Sequence, residues 1–465
     1  MRTGELYVSA LRDGRRIMID GAQVDDVTSH PAFRDAVRTI AGMYDMSSDP
    51  DNAELMTVVD PQAGHRIHRC WSVPRDAGDL RARHAAIEAW SRMNVGLMGR
   101  TPDLGASFLA GFAGAAELFG ERADNVTAFV RRAAAEDLYV SYAIVPPQID
   151  RSRPAHAQDD PHAYAGVLAE RDDGIVIRGA QMLGTGTAIS DMVLLSCIVP
   201  LQAGDEAQAI SVVVPVSAPG LKVYSRRSYA AAARGRSDYP LSTHFDETDS
   251  LLVFDDVFVP WEHVFVYKDL QLTRDQWYAT SSHALGNNQS QIRFAVKLRA
   301  TVGALLEVVS AGATDPSDRL PELQALATVV DATVRAGEDA CELDGWGVAA
   351  PGRAELYANM VLQSRITPHV LAAAREILGE RMLLGGLHLD RPSTEHSSVH
   401  DRAERAWQLA WDLIGSEFAG RQHQYELFYA GAPFVVRRHM ARHYDSDGAR
   451  ELIAPLLSGD FGAVR

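Results

Sequence analysis

Hydrophobic spacing divides the chain into three zones. From about residue 30 to 139 apolar residues recur at helical intervals. In "RARHAAIEAWSRMNVGLMG", Ala86, Trp90, Met93 and Leu97 fall at helical spacing. "PDLGASFLAGFAGAAELFG" follows, with Pro102 and Asp103 at a helix start, where both residue types suit the first turn. Between about 140 and 266 the period becomes that of strands. The runs "GIVIRGAQML", "DMVLLSCIVP", "QAISVVVPVS", "GLKVYS" and "SLLVFDDVFVPWEHVFVY" are short, β-branched and broken by Gly, Pro and Asp. No helix-length segment separates them, so they predict a mostly antiparallel barrel or sandwich. From 267 onward long amphipathic stretches return, enough for a four-helix bundle. The predicted class is α+β: an N-terminal helical domain over 1–139, a central antiparallel β domain over 140–266, and a C-terminal helical bundle over 267–465.

The first boundary falls in "DLYVSYAIVPPQIDRSRP". Val140, Tyr142 and Ile144 are predicted to share one strand face, and Pro146-Pro147 to end the strand. Gln148, Arg151 and Ser152 follow in a polar loop. Taken alone, such a loop reads as solvated surface.

Composition narrows the function. The chain has 465 residues, 46% hydrophobic and 23% charged, which allows two or three domains with a large core. Its net charge of -16 argues against nucleic acid as the main partner. No apolar run reaches the roughly 18 residues of a membrane span. "MRTGELYVSALRDGRR" lacks an apolar signal core, so a cytoplasmic location is expected. Cys70, Cys197 and Cys341 are odd in number and far apart, which predicts neither a disulfide framework nor a metal pair. His439 and His443 lie one helical turn apart, but no further ligand sits at metal spacing, and they read as a basic helix end. No GxGxxG follows a strand and no Walker loop occurs, so no nicotinamide site is expected.

Several segments, in order, resemble the two-component, flavin-dependent 4-hydroxyphenylacetate 3-monooxygenases, which have the acyl-CoA dehydrogenase fold. They are "RTGELYVSALRDGR", "GRTPD", "PPQIDRS", "DYPLSTHFDETDSLLVFDDVFVPWE", "NNQSQIRFAVKL" and "GSEFAGRQHQYELFYAG". The resemblance implies FAD, delivered as FADH2 by a separate flavin reductase, with O2 as co-substrate. It implies a flavin C4a-hydroperoxide that hydroxylates a phenolic aromatic, and a homotetramer built as a dimer of dimers. Flavin contacts are implied at Tyr142, Ala143, Ile144, Gln148, Arg151, Ser152, Arg153, Pro154, Thr185, Tyr444, Asp445, Ser446 and Asp447. Donors at the ring carbonyls and a cation at the pyrophosphate are what such a cofactor requires.

The substrate pocket departs from the family pattern. Arg100 matches the arginine that holds the phenol oxygen, and with Tyr142 it is the catalytic candidate. Leu104 stands where the pattern has Tyr, and Tyr142 where it has His. Cys197 and Ile198 stand where a Ser-Thr pair holds the acetate carboxylate. These departures imply a substrate other than 4-hydroxyphenylacetate: a larger, less anionic aromatic, free or tethered to a carrier. Two alternatives remain at this stage. One is an iron–sulfur flavoprotein dehydratase of the 4-hydroxybutyryl-CoA dehydratase type, which the cysteine positions do not match. The other is a non-catalytic helical scaffold without flavin affinity.

Overall fold

In the computed structural model, which describes residues 1–61, 64–233, 235–313, 315, 318–384, 398–428 and 431–457, the strand Met192–Leu195 is buried along its whole length. Alternation along the strand explains this. Val193 and Leu195 enter one apolar core, and Met192 and Leu194 enter another. A strand with two buried faces lies in a middle layer, and its sequence is accordingly an unbroken apolar run.

That middle sheet has the order Val264–Tyr267, Ile210–Pro215, Met192–Leu195, Val140–Ala143. A six-stranded sheet covers one face, in the order Ala22–Val24, Ile17–Ile19, Leu221–Ser225, Ser250–Pro260, Gly174–Met182, Gly166–Arg171. Ile175, Ile177, Leu252 and Phe254 of the larger sheet share a core with Val193, Leu195, Val212 and Val214. This is the expected sandwich. The other face is covered by the helices Pro102–Gly114, Ala123–Glu136 and Leu270–Tyr278, whose Phe108, Phe112, Phe129 and Trp277 pack with Val140, Leu194 and Val213.

Two features differ from the sequence pattern. First, the segment before residue 139 is not wholly helical. It contributes the strands Ile17–Ile19 and Ala22–Val24 to the larger sheet and a hairpin, Thr57–Val59 with Arg66–His68. Three-residue strands are too short to show an alternation in sequence. Second, two pairings are parallel: Val140–Ala143 with Met192–Leu195, and Ile17–Ile19 with Leu221–Ser225. Each incoming strand reaches its partner by a long crossover, which parallel pairing requires.

The handover from helix to strand is made at Asp137, which caps Ala123–Glu136 in the left-handed conformation at φ 51°. Tyr139 N–H then donates to the Asp191 carboxylate at 2.7 Å. Arg2 forks onto the same carboxylate at 2.6 and 2.8 Å. Val140 and Tyr142 face the helical layer, while Ala143 faces the sandwich core.

The C-terminal bundle packs the helices Ser282–Ser310, Arg319–Asp339, Arg353–Leu378 and Ser398–Ile414 around Leu305, Leu323, Val330, Ile366 and Leu413. The last amphipathic stretch is two helices, because Ser416 opens a second one over Glu417–Phe428: its hydroxyl accepts from Ala419 N–H at 3.1 Å. The bundle meets the N-terminal helices where Ser282–Ser310 crosses Pro102–Gly114. A side chain at Gly111 would collide with the Ser282 backbone, so glycine there permits the close crossing.

A buried ion pair also joins these parts. His84 Nδ1 lies 2.8 and 2.9 Å from the two carboxylate oxygens of Glu338. Burial opposes the imidazolium, but hydrogen bonds to Glu338 and Glu88 outweigh it and raise His84 from 6.5 to about 9. A raised histidine stabilises the fold fully below pH 6.5, and that contribution is lost as pH rises through about 9. Wild type should therefore be more stable than His84→Leu by about 3 kcal/mol at pH 6.5. Denaturation across pH should show this advantage shrinking between pH 6.5 and about 9 and levelling off above that; an advantage that stays constant from pH 6.5 to pH 9 contradicts the assignment.

Candidate active site

The turn before the Pro102–Gly114 helix is held by a carboxylate from a distant loop. Glu247 accepts from Gly99 N–H at 3.1 Å and Arg100 N–H at 2.5 Å. The Tyr139 hydroxyl donates to the Arg100 carbonyl. Glu247 is in turn paired with Arg421 at 3.4 Å, on the Glu417–Phe428 helix. Arg421 also forks onto Asp249 at 3.0 and 2.7 Å, and Arg226 reaches Asp249 at 3.1 Å. Burial opposes ionisation of Asp249, but Arg421, Arg226 and the Thr185 hydroxyl outweigh it and hold the carboxyl well below its usual range.

This clasp fixes where the Arg100 side chain goes. Its guanidinium lies 4.9 Å from the Tyr142 ring centroid and 5.3 Å from that of Tyr425. A cation between two rings is favoured by their quadrupoles, and more so away from water. Arg100 is buried. Arg293 and Arg421 also lie over Tyr425, at 5.1 and 4.9 Å. Burial pushes the Tyr425 phenol up to about 12 despite these cations.

Aromatic rings pack in series from Tyr142. Phe108 meets Tyr142 edge-on at 5.4 Å and Trp277 at 5.6 Å; Phe112 lies 5.3 Å from Trp277. Leu104 is buried in the same apolar cluster. Burial raises the Tyr142 phenol, partly opposed by Arg100. Tyr142 thus keeps its proton at neutral pH, which suits it to donate a hydrogen bond and not to act as a base.

Arg100, Leu104 and Tyr142 are brought together here. The Ala143 and Ile144 carbonyls accept from Ser196 and Ile198 N–H at 3.2 and 2.8 Å, which closes the strand end. Thr185 is buried, and its hydroxyl donates to Asp249 at 2.6 Å. Gln148, Arg151, Ser152 and Arg153 are exposed on the following loop, and Pro154 is half-buried. Ser152 Oγ donates to Asp150 at 2.6 Å and Arg153 to Asp159 at 2.6 Å. Among the described residues Arg151 has no carboxylate partner.

Cys197 does not join Leu104 and Tyr142. The strand ends at Leu195, and Cys197 turns into a separate cluster with Ala155 and Tyr164 beneath the 149–165 loop. Burial pushes its thiol up to about 12, so it behaves as a small apolar residue. Ile198 is 44% exposed. At the surface, Tyr444 and Asp445 join the helices Pro433–His443 and Ser446–Leu457 and Ser446 and Asp447 open the second, and the hydrogen bonds of Asp445 and Asp447 are local. Cys70 and Cys341 lie in two further clusters, and no group of three His, Cys, Asp or Glu side chains among the described residues is placed to hold a metal. Among the described residues the iron–sulfur alternative finds no ligand set.

Glu247, Asp249, Arg421, Tyr425 and Trp277 escaped the sequence reading. Four of them lie inside the segments "FDETDS" and "GRQHQYELF" that carried the resemblance, but nothing in spacing couples a loop near 247 to a helix near 421.

The donor set suits a large anionic, planar group. Among the described residues the Arg151 guanidinium has no carboxylate partner and the Gln148 amide is exposed, both on the loop that comes after the strand Val140–Ala143. Phosphate is what an unpaired arginine recognises best.

The architecture, helices over a β sandwich against a helical bundle, is that of the acyl-CoA dehydrogenase-like flavoproteins. A family model described as "4-hydroxyphenylacetate 3-hydroxylase N terminal" matches residues 3–266, and its C-terminal counterpart matches 273–384 and 393–458. The chain belongs to this family. It is 37% identical to the pyoverdin chromophore biosynthetic protein PvcC of Pseudomonas aeruginosa, over 94% of this chain and 90% of that one. It is 32% identical to a Streptomyces globisporus monooxygenase named for a peptidyl-carrier-protein-bound (3S)-3-amino-3-(3-chloro-4-hydroxyphenyl)propanoyl group, over 92% and 85%. The solved oxygenase component of 4-hydroxyphenylacetate 3-monooxygenase, complexed with FAD and 4-hydroxyphenylacetate, superposes with a TM-score of 0.89 at 29% identity over 100% of both chains. A 4-hydroxybutyryl-CoA dehydratase structure has a TM-score of 0.87 at 19% identity, over 99% of this chain and 95% of that one, a likeness of fold alone.

The Gly99 seat is testable. A side chain there would run into the Tyr425 hydroxyl. Gly99→Ala should destabilise the protein by about 1–3 kcal/mol, the cost of overpacking. A urea denaturation midpoint equal to wild type would show that the seat yields freely.

Proposed function

We propose that this chain is the oxygenase component of a two-component monooxygenase that hydroxylates a phenolic aromatic. The observation that carries the reading is Arg100, buried between the rings of Tyr142 and Tyr425 at the end of an aromatic wall. The family supplies the rest of the frame: FAD enters reduced from a separate reductase, and O2 is the co-substrate. When bound, reduced FAD with O2 supplies an electrophilic oxygen; one oxygen atom enters a ring C–H bond, the other leaves as water, and two electrons come from the flavin.

The residues of this chain do the remaining work. Tyr142 to Ile144, Gln148, Arg151 to Pro154 and Thr185 would border the isoalloxazine and its ribityl-phosphate tail. Tyr444 to Asp447 complete the site. Arg100 faces the substrate oxygen and stabilises its phenolate form, which makes the adjacent ring carbon electron-rich. Tyr142, protonated, donates a second hydrogen bond to that oxygen. Leu104, Phe108, Phe112 and Trp277 exclude water. Leu104 in place of a polar anchor supports a substrate less anionic than 4-hydroxyphenylacetate, and the carrier-bound substrate in the name of one relative supports a tethered phenol.

We propose a cytoplasmic setting and a homotetramer arranged as a dimer of dimers. The Ser446–Leu457 helix supports assembly: Leu452, Ile453, Leu456 and Leu457 are all exposed on a single chain. Light scattering at micromolar concentration should give a mass of four chains. A monomer mass contradicts the assembly.

With excess flavin reductase, NADH, FAD and a panel of phenols, wild type should give a product heavier by one oxygen. Arg100→Ala should lose about 2–4 kcal/mol of transition-state stabilisation, the scale of one electrostatic donor. Its oxygen consumption should continue and appear as hydrogen peroxide. Coupling of oxygen to product equal to wild type would overturn the role given to Arg100.

A further inference from the structure

One phenol ring of the bundle has three cations over it. The Tyr425 ring centroid lies 5.3 Å from the guanidinium of Arg100, 5.1 Å from that of Arg293 and 4.9 Å from that of Arg421. Tyr425 is 4% exposed, so these contacts are made away from water, where the attraction of a cation to a ring face is strongest.

Two of the three cations belong to the anchorage of the ring. Arg421 stands one helical turn before Tyr425 on the Glu417–Phe428 helix. It forks onto Asp249, beside the strand Ser250–Pro260, at 3.0 and 2.7 Å. Glu426, the residue after Tyr425, pairs with Arg293 at 2.8 Å and Lys297 at 2.9 Å, both on the Ser282–Ser310 helix. The turn of helix that carries the ring is thus tied by charge to the β sandwich and to the bundle. The ring reaches from there to the turn that carries Arg100, and its hydroxyl lies so close to Gly99 that a Cβ there would overlap it. Burial pushes the phenol up to about 12, so the ring stays neutral and does not neutralise the cation it faces.

The third cation, Arg100, is held differently at its two ends. Glu247 and Tyr139 bind its main chain. Main-chain bonds fix where a long side chain starts and leave its rotamer open. The guanidinium lies over two rings, Tyr142 and Tyr425. Tyr142 is half-buried at a strand end, whereas Tyr425 is buried and anchored on both sides. We propose that Tyr425 is a positioning residue: the face of its ring directs the Arg100 guanidinium and keeps its charge on the substrate oxygen. The inference rests on the role given to Arg100 above and deepens it.

The face of the ring, and not its volume, is the active feature. Phenylalanine at 425 keeps that face and loses only the hydroxyl. Ring fluorines withdraw electron density from the face with little change of shape, so a series of rising fluorination weakens the attraction stepwise while the packing stays.

The test reads the phenolate directly. 4-Nitrophenol turns yellow when it ionises, so its absorbance against pH, with flavin-free protein in excess, reports its pKa in the site. Wild type should lower that pKa from the free value by at least about one unit, a tenfold shift in ionisation. Arg100→Ala should return it to the free value, and Tyr425→Phe should keep most of the shift. Replacing Tyr425 with phenylalanines of rising ring fluorination should shrink the shift step by step, to less than about half. With excess reductase, the same series should send a rising share of the oxygen consumed into hydrogen peroxide. A shift that does not respond to fluorination, or is already lost in Tyr425→Phe, overturns the role of the Tyr425 ring and leaves that of Arg100 standing. A bound phenol at its free pKa in wild type, or a shift that survives Arg100→Ala, overturns the Arg100 reading and this inference with it.

Discussion

The Glu247 carboxylate is the constraint on which the site depends. It accepts two consecutive backbone N–H groups, from Gly99 and Arg100, and pairs with Arg421. One buried charge thereby joins a loop of the β sandwich, the entry to a helix of the helical layer and a helix of the C-terminal bundle. Its burial would be costly unpaired. The protein meets that cost with charge-assisted hydrogen bonds, which fix the main chain at the residue whose side chain lies between the rings of Tyr142 and Tyr425. The Asp249 fork from Arg421 and the Thr185 hydroxyl extend the clasp to the turn after Gly174–Met182.

A second buried charge cluster supports this turn from behind. Glu426 pairs with Arg293 at 2.8 Å and with Lys297 at 2.9 Å, and Arg293 also donates to the Gly96 carbonyl at 2.5 Å. Burial opposes the Lys297 ammonium and lowers it to about 8, although Glu426 attracts it. The Arg100 guanidinium lies over the faces of the Tyr142 and Tyr425 rings, and Arg293 and Arg421 lie over Tyr425 as well.

The layers determine which side of the four-stranded sheet Tyr142 faces. The four-stranded sheet separates a dry sandwich core from the helical layer, and Tyr142 is on the helical side because Val140 is. Shifting the strand by one residue would exchange Tyr142 for Ser141 or Ala143. Ser141 is instead tied to the hydroxyls of Thr187 and Ser190 at 2.9 Å, which secures the register.

Much of this was legible in the chain itself. Long segments with one period report their own type, so the strands from Gly174 to Tyr267 and the bundle helices follow from local patterning, as does the shared face of Val140, Tyr142 and Ile144. Arg100, Leu104 and Tyr142 were also reachable, because each lies within or beside a short segment whose residue order carries the family likeness. The short strands Ile17–Ile19 and Ala22–Val24 were not, since they are stable only as additions to a sheet formed 200 residues later. Nor was Cys197, whose neighbours are set by how the 149–165 loop folds over the strand end. The clasp of Glu247 on Arg100 and Arg421, and the meeting of Gln181 with Gln276 at Ser196, join positions with no local relation to one another. Sequence periodicity records which face of an element is buried; which buried face meets which is decided only when the layers pack, and polar partners are chosen at that step.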